Sequence, residues 1–133
     1  MKALTLQQVA EATQGLASAE GVISGISTDS RHIQPGDLFI ALVGPNFDGH
    51  DYIADVMEKG AAAVLVSAAV AESIPSVLVS DTRLGLGLLS AFYRQQFSLK
   101  VAAVTGSNGK TTVKEMLACI LGECGLVLKT QGN

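Results

Sequence analysis

Apolar residues follow two alternating rhythms along this chain. Short, nearly unbroken runs of β-formers alternate with segments whose apolar positions recur every three to four residues. The first helical segment opens after Thr5, a suitable cap, and places Leu6, Val9, Ala10 and Thr13 on one face, with a stop at Gly15. Gly21–Arg31 reads as a short strand running into the polar turn Ser27-Thr-Asp-Ser-Arg31. Pro35-Gly36-Asp37 signals a turn before a buried strand, Leu38–Val43, which empties into Gly44–His50, a loop rich in turn formers. Asp51 is placed to cap a helix with Ile53, Val56 and Met57 inward and Gly60 at its end. Ala61–Val66 and Val77–Val79 are the next strands. Asp81 or Thr82 then caps a helix reaching about Phe97, with Leu84, Leu88, Leu89 and Phe92 on its apolar face and Gly85 and Gly87 weakening it.

Near-continuous apolar strands alternating with helices predict an α/β fold, a mainly parallel sheet with helices packed on it. The segment Gln95–Lys100 is the expected boundary, giving an N-terminal domain over residues 1–98 and a second unit over 99–133. In that second unit a strand from Val101, a helix with Val113, Met116, Leu117, Ile120 and Leu121 at helical spacing, and a strand over Gly125–Lys129 are predicted. Two strands and one helix cannot bury both faces of a sheet. The unit is therefore expected to be the first βαβ unit of a larger domain that continues beyond Asn133.

Composition narrows the partners more than the fold. Of 133 residues, 48% are hydrophobic and 16% charged, enough for a core and too few charges for a disordered chain. A net charge of −3 gives no reason to expect a nucleic-acid or membrane-surface partner. The N-terminus has no secretory apolar run, and no stretch approaches the length of a membrane span, so the chain reads as soluble and cytoplasmic. Cys119 and Cys124 are five apart on a helix, which does not stack them, and read as reduced core thiols.

The most specific chemistry lies in Val101-Ala-Ala-Val-Thr105-Gly-Ser-Asn-Gly-Lys-Thr-Thr112. A strand emptying into a glycine turn, followed by a lysine and threonines that open a helix, is the layout of a phosphate-binding loop. The strict pattern places a glycine where Val104 stands, so this loop is a Gly-x-x-Gly-Lys-Thr variant. Backbone amides from Gly106 through Ser107, Asn108 and Gly109 to Lys110 would surround the phosphates of ATP. Lys110 would be the catalytic cation on the β- and γ-oxygens, Thr111 the hydroxyl ligand to magnesium, and Thr112 its support. The alternative is a plain strand-to-helix turn with a surface lysine. Against it, a lysine at a helix start opposes the macrodipole at a cost of about a few tenths of a kcal/mol.

Two upstream loops concentrate polar groups at strand ends, where ligands of open α/β sheets tend to bind. One is Ser27-Thr28-Asp29-Ser30-Arg31, with three hydroxyls, a carboxylate and a guanidinium; the other is Asn46-Phe47-Asp48-Gly49-His50, with amide, aromatic, carboxylate and imidazole groups. Asx-turns and helix caps use the same residue types, and Arg31 has Asp29 or Asp37 as a ready ion-pair partner. His50 is either a general base or a bystander.

Taken together, Ser27–Arg31, Pro35–Leu42, Phe47–His50, Gly60–Val64 and Thr105–Thr112 resemble the Mur ligases of peptidoglycan precursor synthesis. Lys114-Glu115 and Thr130–Asn133 resemble the family member that adds D-alanyl-D-alanine; the sister that adds the third amino acid is the close alternative. The resemblance implies an N-terminal domain that holds the uridine diphosphate of UDP-N-acetylmuramoyl-tripeptide through Thr28, Asp29, Ser30, Arg31, Pro45, Asn46, Phe47 and Asp48. It implies an ATP- and Mg2+-dependent reaction in which the tripeptide carboxylate is phosphorylated and the D-Ala-D-Ala amine displaces phosphate from the acyl phosphate. It also implies a monomeric full-length enzyme whose magnesium-binding glutamate, modified lysine, adenine contacts and dipeptide-binding domain lie beyond Asn133, so that this chain alone is inactive. A non-catalytic UDP-sugar-binding module and an unrelated P-loop kinase or ATPase are the competing classes.

Overall fold

The computed structural model describes residues 1–131, which fall into two compact units, one over Met1–Phe97 and one beginning at Ser98. Gly132 and Asn133, the end of the Thr130–Asn133 resemblance, lie outside the described residues.

The first unit contains nine short strands and three helices among its described residues. The strands are β1 (Leu4–Thr5), β2 (Leu16–Ala17), β3 (Val22–Ile23), β4 (Gly25–Ser27), β5 (Asp37–Ile40), β6 (Val43–Gly44), β7 (Phe47–Asp48), β8 (Ala63–Val66) and β9 (Ser76–Leu78). The helices are α1 (Leu6–Thr13), α2 (Ile53–Glu58) and α3 (Thr82–Gln95). Five strands form one sheet in the order β2-β9-β8-β5-β4. Its β4/β5, β5/β8 and β8/β9 pairs are parallel, and β2 closes one edge antiparallel to β9. The mainly parallel α/β fold expected from the sequence is the observed one.

Apolar runs buried on both sides explain this arrangement. Leu38, Ile40, Ala63, Leu65 and Val77 point to one face, where Leu6, Val9 and Ala10 of α1 and Leu89 of α3 cover them. The intervening Phe39, Val64 and Val66 point to the other, against Ile53 and Val56 of α2. Alternate side chains of a strand face opposite ways, so one unbroken apolar run supplies both layers. Each large side chain buried this fully stabilises the fold by about 1.5–3 kcal/mol.

Helix ends follow the local chemistry, with three departures from expectation. Thr5 caps α1 in a capping box, accepting from the Gln8 N–H at 3.1 Å while Gln8 Oε1 accepts from the Thr5 N–H at 2.9 Å. The left-handed residue that ends α1 is Gln14 (φ 57°), not Gly15. Glycine is needed at 15 for another reason: a Cβ there would lie 2.7 Å from the Leu78 carbonyl oxygen. Asp51 caps nothing; a 3-10 turn over Gly49–Tyr52, capped by Asp48, leads into α2. Asp81 does cap α3, accepting from Arg83 and Leu84 N–H at 2.7 and 3.0 Å. The buried face of α3 is Thr82, Gly85 and Leu89, while Leu84 is 58% exposed. Gly85 shifts the face because its missing side chain lets α3 approach Leu65, whose Cδ2 would stand 3.1 Å from an added Cβ.

The short strand expected within Gly21–Arg31 is divided into β3 and β4, which belong to different sheets, and the strand expected over Leu38–Val43 is divided into β5, ending at Ile40, and β6; β1, β2 and β7, two residues each, carry no period to read. β1 and β3 pair antiparallel, as do β6 and β7 in a small hairpin.

In the second unit the regular element is α4 (Lys110–Gly122). The strands expected from Val101 and over Gly125–Lys129 do not form among the described residues. An apolar run becomes a strand only with a ladder partner to take its N–H and C=O groups, and this segment supplies none. The βαβ expectation is corrected to a single helix. None of the residues of α4 is buried, and Cys119 and Cys124 are free, exposed thiols rather than core ones.

Candidate functional site

The two polar loops of the first unit emerge at the carboxyl ends of neighbouring parallel strands. Thr28–Arg31 follows β4, and the β6–β7 hairpin follows β5, with Ser27 and Phe39 in register across the pair. Ser67, immediately after β8, lies at the same end of the next strand. This is the crevice side of an open α/β sheet.

The first loop is ordered by its own charges. Asp29 caps a 3-10 turn over Ser30–His32, accepting from the Arg31 N–H at 3.0 Å. Its two oxygens also accept from Arg31 Nε at 2.9 Å and Nη2 at 2.7 Å, a fork-to-fork pair, and His32 Nδ1 stands 3.1 Å away. Arg31 therefore pairs with Asp29. Asp37 instead is buried and accepts from the Gln34 N–H at 2.9 Å. A second tie reaches across the fold, where Lys59 Nζ donates to the Ser30 carbonyl at 2.9 Å and pairs with Asp55 at 2.7 Å. The Arg31 side chain remains 80% exposed, a pre-oriented guanidinium beside the exposed Thr28.

Those bonds, the Arg31 side chain's first and its backbone N–H second, hold the Asp29 carboxyl well below the ordinary aspartate value of 3.8. A depressed carboxylate contributes its ordering above that ordinary value and loses it as pH falls through the lower, folded one. The loop is accordingly expected to keep its shape at pH 4, with the Asp29 side-chain carboxyl signal in NMR titrating below 3.8. Arg31→Ala is expected to move that midpoint up toward 3.8; a wild-type midpoint at or above that value would show the pair is not formed in solution.

The second loop is the β6–β7 hairpin with Pro45 and Asn46 at its exposed turn. Phe47 is 55% exposed, and its ring lies over Gly44, where a Cβ would come 2.4 Å from Phe47 Cε1. Gly49 is buried at the hairpin base, with its N–H donating to the Leu42 carbonyl at 2.8 Å. Asp48 Oδ1 accepts from the His50 N–H at 2.9 Å and lies 2.6 Å from His50 Nδ1; these bonds, the backbone one first, lower its pKa. His50 Nε2 accepts the Ser67 N–H at 3.0 Å. Both ring nitrogens are thus occupied, which removes His50 as a free general base.

In the second unit, a cleft of about 270 Å3 is lined by Ser107, Asn108, Gly109, Lys110, Thr111 and Thr112. Gly109 is left-handed (φ 74°) and occupies the N-cap of α4, with no side-chain cap. The contrast with α1 and α3 is chemical: Thr5 and Asp81 satisfy N-terminal N–H groups there with side-chain oxygens, whereas the glycine at α4 has no side chain to do so. Lys110 Nζ folds back onto the Gly106 carbonyl at 2.6 Å. Lys114 and Glu115 engage the segment that follows the helix: Lys114 Nζ donates to the Thr130 carbonyl at 2.7 Å, and Glu115 pairs with Lys129. The Lys129 contact is the main reason the Glu115 carboxyl is held low. Among the described residues no group of three or more His, Cys, Asp or Glu side chains converges as a metal site.

An open-sheet crevice fed by two ordered polar loops, followed by a helix that starts at glycine and lysine, defines the class as an open-sheet α/β protein. The chain belongs to the Mur ligase family. Residues 22–94 match the model described as Mur ligase family, catalytic domain, and residues 104–133 match the Mur ligase middle domain. It is 45% identical over 134 aligned positions to the UDP-N-acetylmuramoyl-tripeptide--D-alanyl-D-alanine ligase of Escherichia coli K12, covering 100% of this chain and 30% of that protein. Crystal structure I of MurF from Acinetobacter baumannii superposes with a TM-score of 0.92 at 43% identity, over 100% of this chain and 30% of the other. The MurF ligase of Thermotoga maritima in complex with ADP superposes with a TM-score of 0.74 at 37% identity, over 81% of this chain and 25% of the other. The chain thus spans about a third of the length of the relatives it matches.

Proposed function

We propose that this chain carries the UDP-substrate side and the phosphate loop of an ATP-dependent ligase that adds D-Ala-D-Ala to UDP-N-acetylmuramoyl-tripeptide. The observation that carries this reading is likeness over the full length of the chain to ligases bearing that name, together with two ordered polar loops on one end of the sheet. On this reading residues 1–98 are the substrate-binding domain and 99–133 the start of the ATP-binding domain, with the activity belonging to a protein of the relatives' length. Thr28, Asp29, Ser30 and Arg31 meet the diphosphate side of the nucleotide, where Arg31 is already aimed by Asp29. Pro45, Asn46, Phe47 and Asp48 meet the nucleoside, with the exposed Phe47 ring as an apolar surface.

ATP phosphates fit the glycine-lysine start of α4, where no side chain caps the helix, and Lys110 is released from Gly106 to the γ-phosphate oxygens, where charge builds during transfer. The Thr111 hydroxyl would hold a magnesium ion, which supplies further charge neutralisation when bound. The D-Ala-D-Ala site falls outside this chain on the same reading. The test is ADP release from a ligase of the relatives' length carrying this sequence. Release that requires UDP-N-acetylmuramoyl-tripeptide and D-Ala-D-Ala together is expected; release with the shorter UDP-dipeptide and a third amino acid would favour the sister enzyme.

A further inference from the structure

We propose that His50 is a positioning residue for the β6–β7 hairpin, working as a neutral imidazole protonated on Nδ1. The inference rests on the UDP-substrate reading of that hairpin and adds a residue that the reading itself does not use. The tautomer follows from its two partners. Ser67 offers a backbone N–H to Nε2 at 3.0 Å, and an N–H can be received only by an unprotonated nitrogen. Nδ1, 2.6 Å from Asp48 Oδ1, must then carry the proton and donate it to the carboxylate. The His50 side chain is 14% exposed, so water competes poorly for its bond to the Ser67 N–H, while the Asp48 carboxylate is 46% exposed.

The consequence is mechanical. Ser67 is the first residue after β8, a central strand buried along its length. Asp48 is the last residue of the hairpin whose turn bears Asn46 and whose second strand begins with Phe47. The imidazole therefore ties the returning arm of the hairpin to the rigid carboxyl end of a strand 17 residues on. Without it the Ser67 N–H loses its acceptor, and the arm carrying Phe47 keeps its pairing with β6 but loses its tie to the end of β8. Order in that arm before the nucleotide arrives lowers the ordering cost of binding.

Two substitutions separate the bonds. Glutamine reproduces an acceptor near Nε2, while asparagine reproduces a donor near Nδ1 but falls short of Ser67. With the whole chain, UDP affinity measured by calorimetry is expected to fall about three- to tenfold in His50→Asn and to be largely kept in His50→Gln. On the unsubstituted chain, 15N–1H correlation of the imidazole is expected to show Nδ1–H with an unprotonated Nε2, and slow exchange of the Ser67 amide. Equal UDP affinity in all three proteins, or an Nε2–H tautomer, overturns the proposal. If the unsubstituted chain binds no UDP, the substrate reading falls, and the imidazole tautomer and Ser67 amide still decide whether the clamp exists.

Discussion

Replacing Lys110 by alanine, in a ligase of the relatives' length carrying this sequence, is expected to lower kcat about 10²–10³-fold, the cost of losing one preorganised charge at a developing oxyanion. Stability should move the other way. Lys110 begins α4, and a cation at a helix N-terminus opposes the macrodipole, so its removal is expected to stabilise the unliganded helix by about a few tenths of a kcal/mol. Its one described bond, to the Gly106 carbonyl, is an exposed one that water can replace. Opposite signs for activity and helix stability mark a residue kept for a ligand. Steady-state ADP release and thermal unfolding of the same variant read both. A variant with unchanged turnover would remove the phosphate loop from the mechanism.

Gly49→Ala carries the second large effect, this time on the fold. A Cβ at position 49 would stand 2.8 Å from Ala41 Cα, 2.9 Å from Ala41 C and 2.9 Å from Leu42 N. All three are backbone atoms of the chain leaving β5, so no side chain can swing aside. Overpacking of this kind is expected to cost about 1–3 kcal/mol, and the relief available is a shift of the hairpin away from the sheet. Urea unfolding should show a lower midpoint with unchanged slope, and the same variant should lose UDP affinity. An unchanged midpoint would mean that the hairpin base is looser than the contacts of Gly49 require.

Most of the framework was legible in the sequence because it rests on long, repeated signals. Leu38–Ile40 and Ala63–Val66 announce strands buried on both faces, and those strands fix where the polar loops emerge. Thr5 and Asp81 were legible as caps because a side-chain oxygen ahead of a periodic run has one common use. What escaped depends on tertiary partners. Leu84 has the right spacing for the core of α3, yet Gly85 takes that face by letting α3 settle onto Leu65. The apolar run at Val101 has strand composition but no ladder partner.

The candidate site divides the same way. Asp29 and Arg31 are two residues apart, so their pairing could be read as one of two options and is settled by the fork geometry. Lys59 to Ser30 and His50 to Ser67 join positions 29 and 17 residues apart, and no local pattern announces them. Those two long-range bonds add to the local ones of Asp29 and Asp48 and tie the loops to the rest of the fold. His50, open between general base and bystander on sequence alone, has both ring nitrogens engaged by partners in the structure.

The central claim is that the two loops at the carboxyl ends of β4 and β5 form one nucleotide site. Calorimetric titration of this chain with UDP-N-acetylmuramoyl-tripeptide tests it most directly, alongside a protein bearing both Arg31→Ala and Phe47→Ala. One-to-one binding that the double variant weakens by about the product of the effects of Arg31→Ala and Phe47→Ala measured singly is the predicted result, since distant contacts to one ligand add. No binding by the unsubstituted chain, or equal binding by the double variant, would contradict it.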